Sequence, residues 1–390
     1  MDVDRFRESP IGSLVPIRGT HEGQEFEHFA YLPERLLTEV QLNPSTWGLL
    51  MEAMHALGRL DDAGQRLPNP ALVSRPTIRR EAVQTSALEG TYTTLPQVLE
   101  AEALEEGERS HSSEVEEVRR FIRTAELAYG WINERPLTES FLKDLHASLM
   151  KGDPKCPQDQ QGVYRTRQNF IGPRRADIVK SHFVPPPPGD PVQDLMENWT
   201  EWIHDDSVPL LIRVALGHYQ FETIHPFFDG NGRIGRLLIV LELMEAGNLS
   251  FPLLEISSFF EDRADEYRGH LREVSATGDF EPWIAFFAEG VREESHEGLK
   301  KINELLEWKE VAISRLRDNK VRGTAIGLAE RLIGAPVVVP ARVAEDFNIS
   351  YPAAVNAIER LEEFELLTRL KTDNRRRIYV AWGVLGIVDR

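Results

Sequence analysis

The stretch His225-Pro-Phe-Phe-Asp229-Gly230-Asn231-Gly232-Arg233-Ile234-Gly235-Arg236 joins two apolar runs at helical spacing, residues 209–224 and 233–245. Its residue types suit one task, holding a polyphosphate beside a base. In the second run Ile234, Leu237, Leu238 and Leu241 mark a stripe for burial, and Gly247 closes the helix. Gly230-Asn231-Gly232 lets successive backbone N–H groups turn toward one point, where the positive end of the following helix adds its partial charge, so a phosphate belongs there. Arg233 and Arg236 sit three apart on the first turn and face the same phosphates with planar guanidinium forks. Gly235 between them leaves room beside the phosphates. Asp229 offers the hard oxygen that Mg²⁺ accepts while keeping several waters and bridging phosphate oxygens. His225 stands where a general base takes the proton of an attacking hydroxyl as that oxygen meets phosphorus.

Rival readings fail on context or leave residues without a reason. Gly230-x-Gly232-x-x-Gly235 spells the dinucleotide fingerprint, and Gly230-x4-Gly235-Arg236 nearly spells a P-loop. Both motifs follow a buried strand, whereas a long helical pattern precedes this one. The P-loop Lys and Ser/Thr are here Arg236 and Leu237. A calcium loop starting at Asp229 would put Arg233 and Val240 at ligand positions. A plain glycine-rich turn with a core histidine stays open, although it gives two arginines and an aspartate no shared purpose.

Working outward, the 390 residues exceed one typical core and carry a formal charge of -18, which opposes a chain-wide nucleic-acid coat. One cysteine, Cys156, excludes an internal disulfide framework. No run of about 18 apolar residues occurs and the first thirty residues lack a signal-peptide pattern, so no membrane partner is expected and the reading is a cytoplasmic protein. Helices are expected within 36–60, in 114–131 and in 138–150, the last capped by Thr138. Another is expected at about 77–90, ended by Gly90. Residues up to Pro33 show strong breakers, and the whole N-terminal region is read as helical. The one exception is 169–184, where NFIGPRR and SHFVPPPP read as a β-hairpin. From about residue 301, helices at 341–347 and 351–363 and strands near 367–370 and 378–380 read as a winged helix-turn-helix. The fold expected is mainly α, in three parts: 1–110, 111–300 and 301–390.

Residues 225–236 resemble the full signature of the Fic family: histidine, phenylalanine, acid-Gly-Asn-Gly-Arg and a second arginine. The likeness extends through Gly162-Val-Tyr-Arg165, the hairpin, the segment 267–283 and the winged-helix tail. It implies a helical Fic core and an adenylyltransferase that moves AMP from ATP, with Mg²⁺, to a Tyr, Thr or Ser hydroxyl of a protein, the chain itself included. The resemblance gives His225 the role of base and Asp229 that of metal ligand. It assigns the phosphates to Gly230, Asn231, Gly232, Arg233, Gly235 and Arg236. The hairpin, with Phe170, Ile171, Gly172 and Phe183, becomes a flap that aligns the target as an added strand. Tyr267 resembles an adenine-side position, and a core tyrosine reads equally well. Thr85-Ser86-Ala87-Leu88-Glu89-Gly90 fits the family's inhibitory pattern, in which the Glu89 carboxylate pairs with Arg236 in the place of the γ-phosphate. Removal of AMP is the alternative reaction, and a homodimer stays open. In the tail, Arg369, Lys371, Arg375, Arg376 and Arg377 make a basic wing, but Glu359, Glu362 and Glu363 surround Asn356 and Arg360 on the presumed recognition helix. Protein docking is therefore favoured over DNA binding.

Overall fold

The computed structural model describes residues 1–21, 24–36, 38–103, 112–172, 178–370 and 377–390. Among them helices dominate, and the chain divides into two compact units, each assembled from separate stretches of sequence. The first comprises Met1–Leu57, Arg123–Leu249 and Ile256–Glu293. The second comprises Gly58–Ile122, Ser250–Glu255 and Glu294–Arg390.

At the centre of the first unit the helices Leu210–Ile224 and Asn231–Glu245 pack against each other. Both are buried almost all round, from Leu211 to Ile224 and from Asn231 to Leu243, as core helices of a large domain are. Three indoles clamp the first of them. Trp199, Trp202 and Trp283 donate from Nε1 to the carbonyls of Gly217 (2.8 Å), Arg213 (3.2 Å) and Ala215 (2.8 Å), so each buries a large ring without orphaning its one donor. Thr138 caps the helix Glu139–Met150 by accepting from the N–H of Phe141. The helix Ser113–Trp131 also forms where its spacing predicts.

The N-terminal stretch corrects the sequence reading. Gly12–His21 and Gln24–Pro33 are two antiparallel strands, with Leu14 opposite Tyr31 and Pro16 opposite Phe29. Gly12, Pro16 and Gly19 look like breakers, yet a proline confines a strand to a sheet edge rather than abolishing it, and Gly12–His21 has a single neighbour. Tyr31 on the other strand donates its N–H to the carbonyl of Val184 at 2.9 Å, and its ring packs with Phe6 and Phe183 at centroid separations of 5.5 and 5.7 Å. Burial pushes the Tyr31 phenol up to about 12. Of the expected hairpin at 169–184, residues 173–177 lie outside the described residues; the described ones carry an antiparallel bridge, Ile171 with Phe183, and a 3₁₀ turn at Ile178–Lys180.

In the second unit the helix Ala71–Leu88 starts six residues before the expected 77 and carries Pro76 inside it. Propensity is overridden by packing: Val73, Ser74, Pro76, Thr77 and Ile78 are all buried. Its end is as expected. Gly90 adopts φ +79, its N–H reaches the Ala87 carbonyl at 2.8 Å, and that of Thr91 reaches Ser86 at 3.0 Å, the paired bonds of a Schellman cap. Glu89 is the capping residue between them. A buried ion pair, Lys301 with Glu255 at 2.7 Å, lies in the same unit. Toward the C-terminus come the helix Thr324–Arg331, the strand Val337–Val338 and the helices Pro340–Asp346 and Tyr351–Glu363. Strands Thr368–Arg369 and Tyr379–Val380 and the helix Trp382–Val388 follow. Tyr379–Val380 is the middle strand, antiparallel to both others. Of the expected basic wing, Lys371, Arg375 and Arg376 lie outside the described residues.

Candidate active site

His225 ends the helix Leu210–Ile224 in the left-handed region, φ 51 and ψ 59, a conformation that histidine adopts more readily than most side chains. Its N–H reaches back to Phe221 at 2.9 Å. The ring nitrogen Nδ1 lies 3.3 Å from the carbonyl of Glu222. A carbonyl only accepts, so Nδ1 donates there, and the neutral ring would present its lone pair at Nε2, as a general base needs. The turn that follows is stitched from inside. Asn231 accepts from the Phe227 N–H (2.8 Å) and donates to the Phe227 carbonyl (2.9 Å), and Asn169 donates to that carbonyl at 3.1 Å. The Asn231 amide thus shapes the loop, while its backbone N–H belongs to the first helical turn, whose donors have no intrahelical acceptor.

Gly230 is the N-cap of the helix Asn231–Glu245 at φ 77. Its N–H donates to Asp229 Oδ1 at 2.6 Å. Arg233 is buried, with Nη2 3.6 Å from the same oxygen, and Arg236, one turn on, is 2% exposed. The Asp229 side chain is 42% exposed. Among the described residues no three His, Cys, Asp or Glu side chains gather to hold a metal. One accessible carboxylate beside arginines fits an ion that draws most of its ligands from water and phosphate. Gly235 also has a packing role. A Cβ there would meet Glu222 Oε1 at 2.4 Å and Phe221 Cδ1 at 3.1 Å, so the missing side chain lets the two central helices close. Tyr267 is 4% exposed. Its ring stacks on Phe260 at 4.5 Å and its hydroxyl meets His218 Nε2 at 2.8 Å, which places it in the aromatic core. In the flap, the Ile171 N–H reaches the Phe183 carbonyl at 2.8 Å and the bond returns at 3.0 Å. Phe183 itself is buried against Phe6 and Tyr31, Phe170 packs against the cluster of Ile17, Ala30, Ile178 and Val184, and a Cβ on Gly172 would come within 3.0 Å of Ser181 Cα.

Three buried side chains that residue types alone did not single out support this loop. Arg165 donates to the carbonyls of His225 (2.9 Å), Ile224 (3.3 Å) and Pro186 (2.5 Å). Burial lowers its guanidinium to about 9. His146 faces the carbonyl of Asp229, and His218 that of Gly235, each at 3.1 Å. Burial lowers these rings to about 4 and about 3, so both are neutral. Only the Gly162-Val-Tyr-Arg165 likeness pointed toward any of them.

The loop between two buried helices, with histidine, acid and arginines at these places, has counterparts. Residues 136–243 match the Fic/DOC family and residues 47–130 match the Fic/DOC family N-terminal region. The chain carries a Fic/DOC domain. Curated relatives named protein adenylyltransferase Fic include those of Drosophila erecta, 31% identical over 157 residues, and Drosophila virilis, 36% identical over 157 residues. These alignments take 38% of this chain and cover only 30% and 31% of the relatives' length. The chain also shares its fold with solved structures. A Fic family protein from Desulfovibrio desulfuricans G20 has a TM-score of 0.57 and 24% identity, over 89% of this chain and 98% of that one. A Fic domain containing signaling protein from Bacteroides thetaiotaomicron VPI-5482 has a TM-score of 0.52 and 22% identity, over 64% of this chain and 97% of that one.

Proposed function

We propose that this chain is a protein adenylyltransferase restrained by Glu89. The observation that carries the reading is the contact of His225 Nδ1 with the Glu222 carbonyl, one turn before Asp229 and the helix start at Gly230. In the reaction a Tyr, Thr or Ser hydroxyl of a protein attacks the α-phosphorus of ATP. Its proton passes to His225 Nε2, the bond to the β-phosphate oxygen breaks, and pyrophosphate leaves with that electron pair. The first-turn N–H groups of Asn231 and Gly232, with Arg233 and Arg236, bind the phosphate oxygens and hold phosphorus in line. Asp229 would hold a Mg²⁺, which supplies positive charge to the phosphates when bound.

Glu89 acts as the brake in this reading. It matches the family's inhibitory pattern, and the Schellman bonds of Gly90 and Thr91 fix the turn that presents it. Phe170, Ile171, Gly172 and Phe183 form the ledge for the target, whose docking is by backbone. Glu139–Met150 and the buried pair of helices belong to the catalytic core proposed for 111–300, while 301–390 is proposed as a winged-helix docking module. That last reading is supported by the helix, strand, helix, helix, strand, strand order, and by Arg377 lying 3.9 Å from Glu359, where the cation already faces a carboxylate. No helix among the described residues is long and apolar enough to cross a membrane.

The test is incubation of the protein and its Glu89→Gly form with Mg²⁺ and ATP, alone and with lysate, followed by intact mass. An AMP adduct mainly in Glu89→Gly, falling on the order of 10²–10⁴-fold or more when His225→Ala is added, is the expected result. Absence of any adduct in both forms sinks the transferase reading, and loss of AMP from a pre-modified protein would establish removal instead.

A further inference from the structure

Against the candidate loop lies a side chain that touches neither phosphate nor target in the reading above. His146, on the helix Glu139–Met150, is 0% exposed. Both ring nitrogens meet backbone groups whose roles are fixed by chemistry. The Gly162 N–H reaches Nδ1 at 2.9 Å and can only donate. The Asp229 carbonyl lies 3.1 Å from Nε2 and can only accept. One neutral tautomer satisfies both, with the lone pair on Nδ1 and the proton on Nε2. The ring also lies flat on Phe227, 4.1 Å between centroids and 7° between planes, and Phe227 is the residue whose backbone Asn231 and Asn169 saturate.

The loop is therefore gripped at two ends. Arg165 holds the carbonyls at its histidine end, and His146 holds the carbonyl of the residue that carries the acid. With that carbonyl fixed, the Asp229 side chain and the Gly230 N–H it accepts start from one backbone orientation. We infer that His146 is a positioning residue for Asp229, holding the carboxylate in the direction a phosphate-bound divalent cation requires. This rests on the nucleotide reading above. A plain core role would need only a flat apolar ring on Phe227; the two polar contacts, one to a group 83 residues away, are what that role leaves unexplained.

The two contacts can be separated. In His146→Asn the amide sits at the distance of Nδ1 and can keep the Gly162 bond. In His146→Gln it sits at the distance of Nε2 and can keep the donor to Asp229. His146→Phe keeps the stack and loses both. Full-length forms are titrated calorimetrically with ATP in Mg²⁺ and with ATP in EDTA, and thermal midpoints are recorded. Expected is a loss of about tenfold or more in affinity for MgATP in the Phe and Asn forms, the size seen when a group orienting a metal ligand is removed. Affinity for ATP in EDTA should hold within about twofold in all forms, and the Gln form should bind MgATP within about threefold of wild type. The inference is overturned if the Mg²⁺-dependent gain is equal in all four proteins, if it simply follows the thermal midpoint, or if Asn rescues and Gln does not. A wild-type protein that binds ATP under neither condition overturns the nucleotide reading and this inference together. Wild-type binding with unchanged variants overturns this inference alone.

Discussion

Replacing Gly230 with alanine should be among the costliest one-carbon changes in the molecule, for two reasons with separable magnitudes. Its φ of +77 lies where a Cβ crowds the next carbonyl, which costs about 1–2 kcal/mol. The added carbon would also stand 2.4 Å from Met150 Cε and 3.2 Å from Leu149 Cδ2. Both neighbours are buried, so neither can swing into solvent, and overpacking of this kind costs about 1–3 kcal/mol. Gly247 supplies the control. At the other end of the same helix it has φ +73 and nothing within 4 Å of a built Cβ. Gly247→Ala should therefore show the backbone cost alone, about 1–2 kcal/mol, and Gly230→Ala the combined cost of about 2–5 kcal/mol. Urea unfolding followed by tryptophan fluorescence measures both, and Met150→Ala in the Gly230→Ala background should recover part of the loss as a coupling energy. Equal costs for the two alanines, or no coupling to Met150, would refute the packing argument.

Burial holds Glu242 well above the usual carboxylate range, so the folded protein favours the protonated acid, whereas the unfolded chain ionises near its ordinary value. Stability from this group is whole below about pH 4.5 and is lost as pH rises toward the folded value. Glu242→Gln keeps the shape and removes the dependence, so it should raise the urea midpoint more at pH 8 than at pH 4.5; an equal gain at both would contradict the assignment. For the buried pair of the second unit, Glu255→Ala strands the Lys301 ammonium and should cost about 3–5 kcal/mol. Glu255→Leu with Lys301→Met should be near neutral or stabilising, and calorimetric midpoints that put the double variant below the single one would overturn that expectation.

The sequence made the candidate catalytic loop legible because its chemistry is local: histidine, acid, glycines and arginines sit within twelve residues and need only a helix on either side to converge. Helix ends were legible for the same reason, as at Thr138 and Gly90, where one residue type satisfies its own neighbours. The N-terminal hairpin was not, since the breakers at Gly12, Pro16 and Gly19 tell against a strand unless its edge position is known, and only the pairing with 24–33 reveals that. His146 and His218 were invisible for the opposite reason, and Arg165 showed only within a resemblance. An isolated histidine or arginine on a helix or loop has no local signature, and their partners lie 16 to 83 residues away. At Gly235 packing adds a close approach of the two central helices that no local pattern showed, and at Tyr267 it adds a stack on Phe260.

The bond from Tyr31 to Val184 also sets a waiting time during synthesis. About 150 residues separate the two groups, which at about 5–20 residues per second is on the order of 10–30 s of translation. Through that interval the N-terminal hairpin has left the ribosome with the outer edge of Gln24–Pro33 unmatched and Phe6 and Tyr31 lacking Phe183. A strand edge beside uncovered aromatic rings is what neighbouring nascent chains pair with. Yield of the full protein should therefore depend on how closely ribosomes follow one another along its first half, and on the chaperones that meet it there.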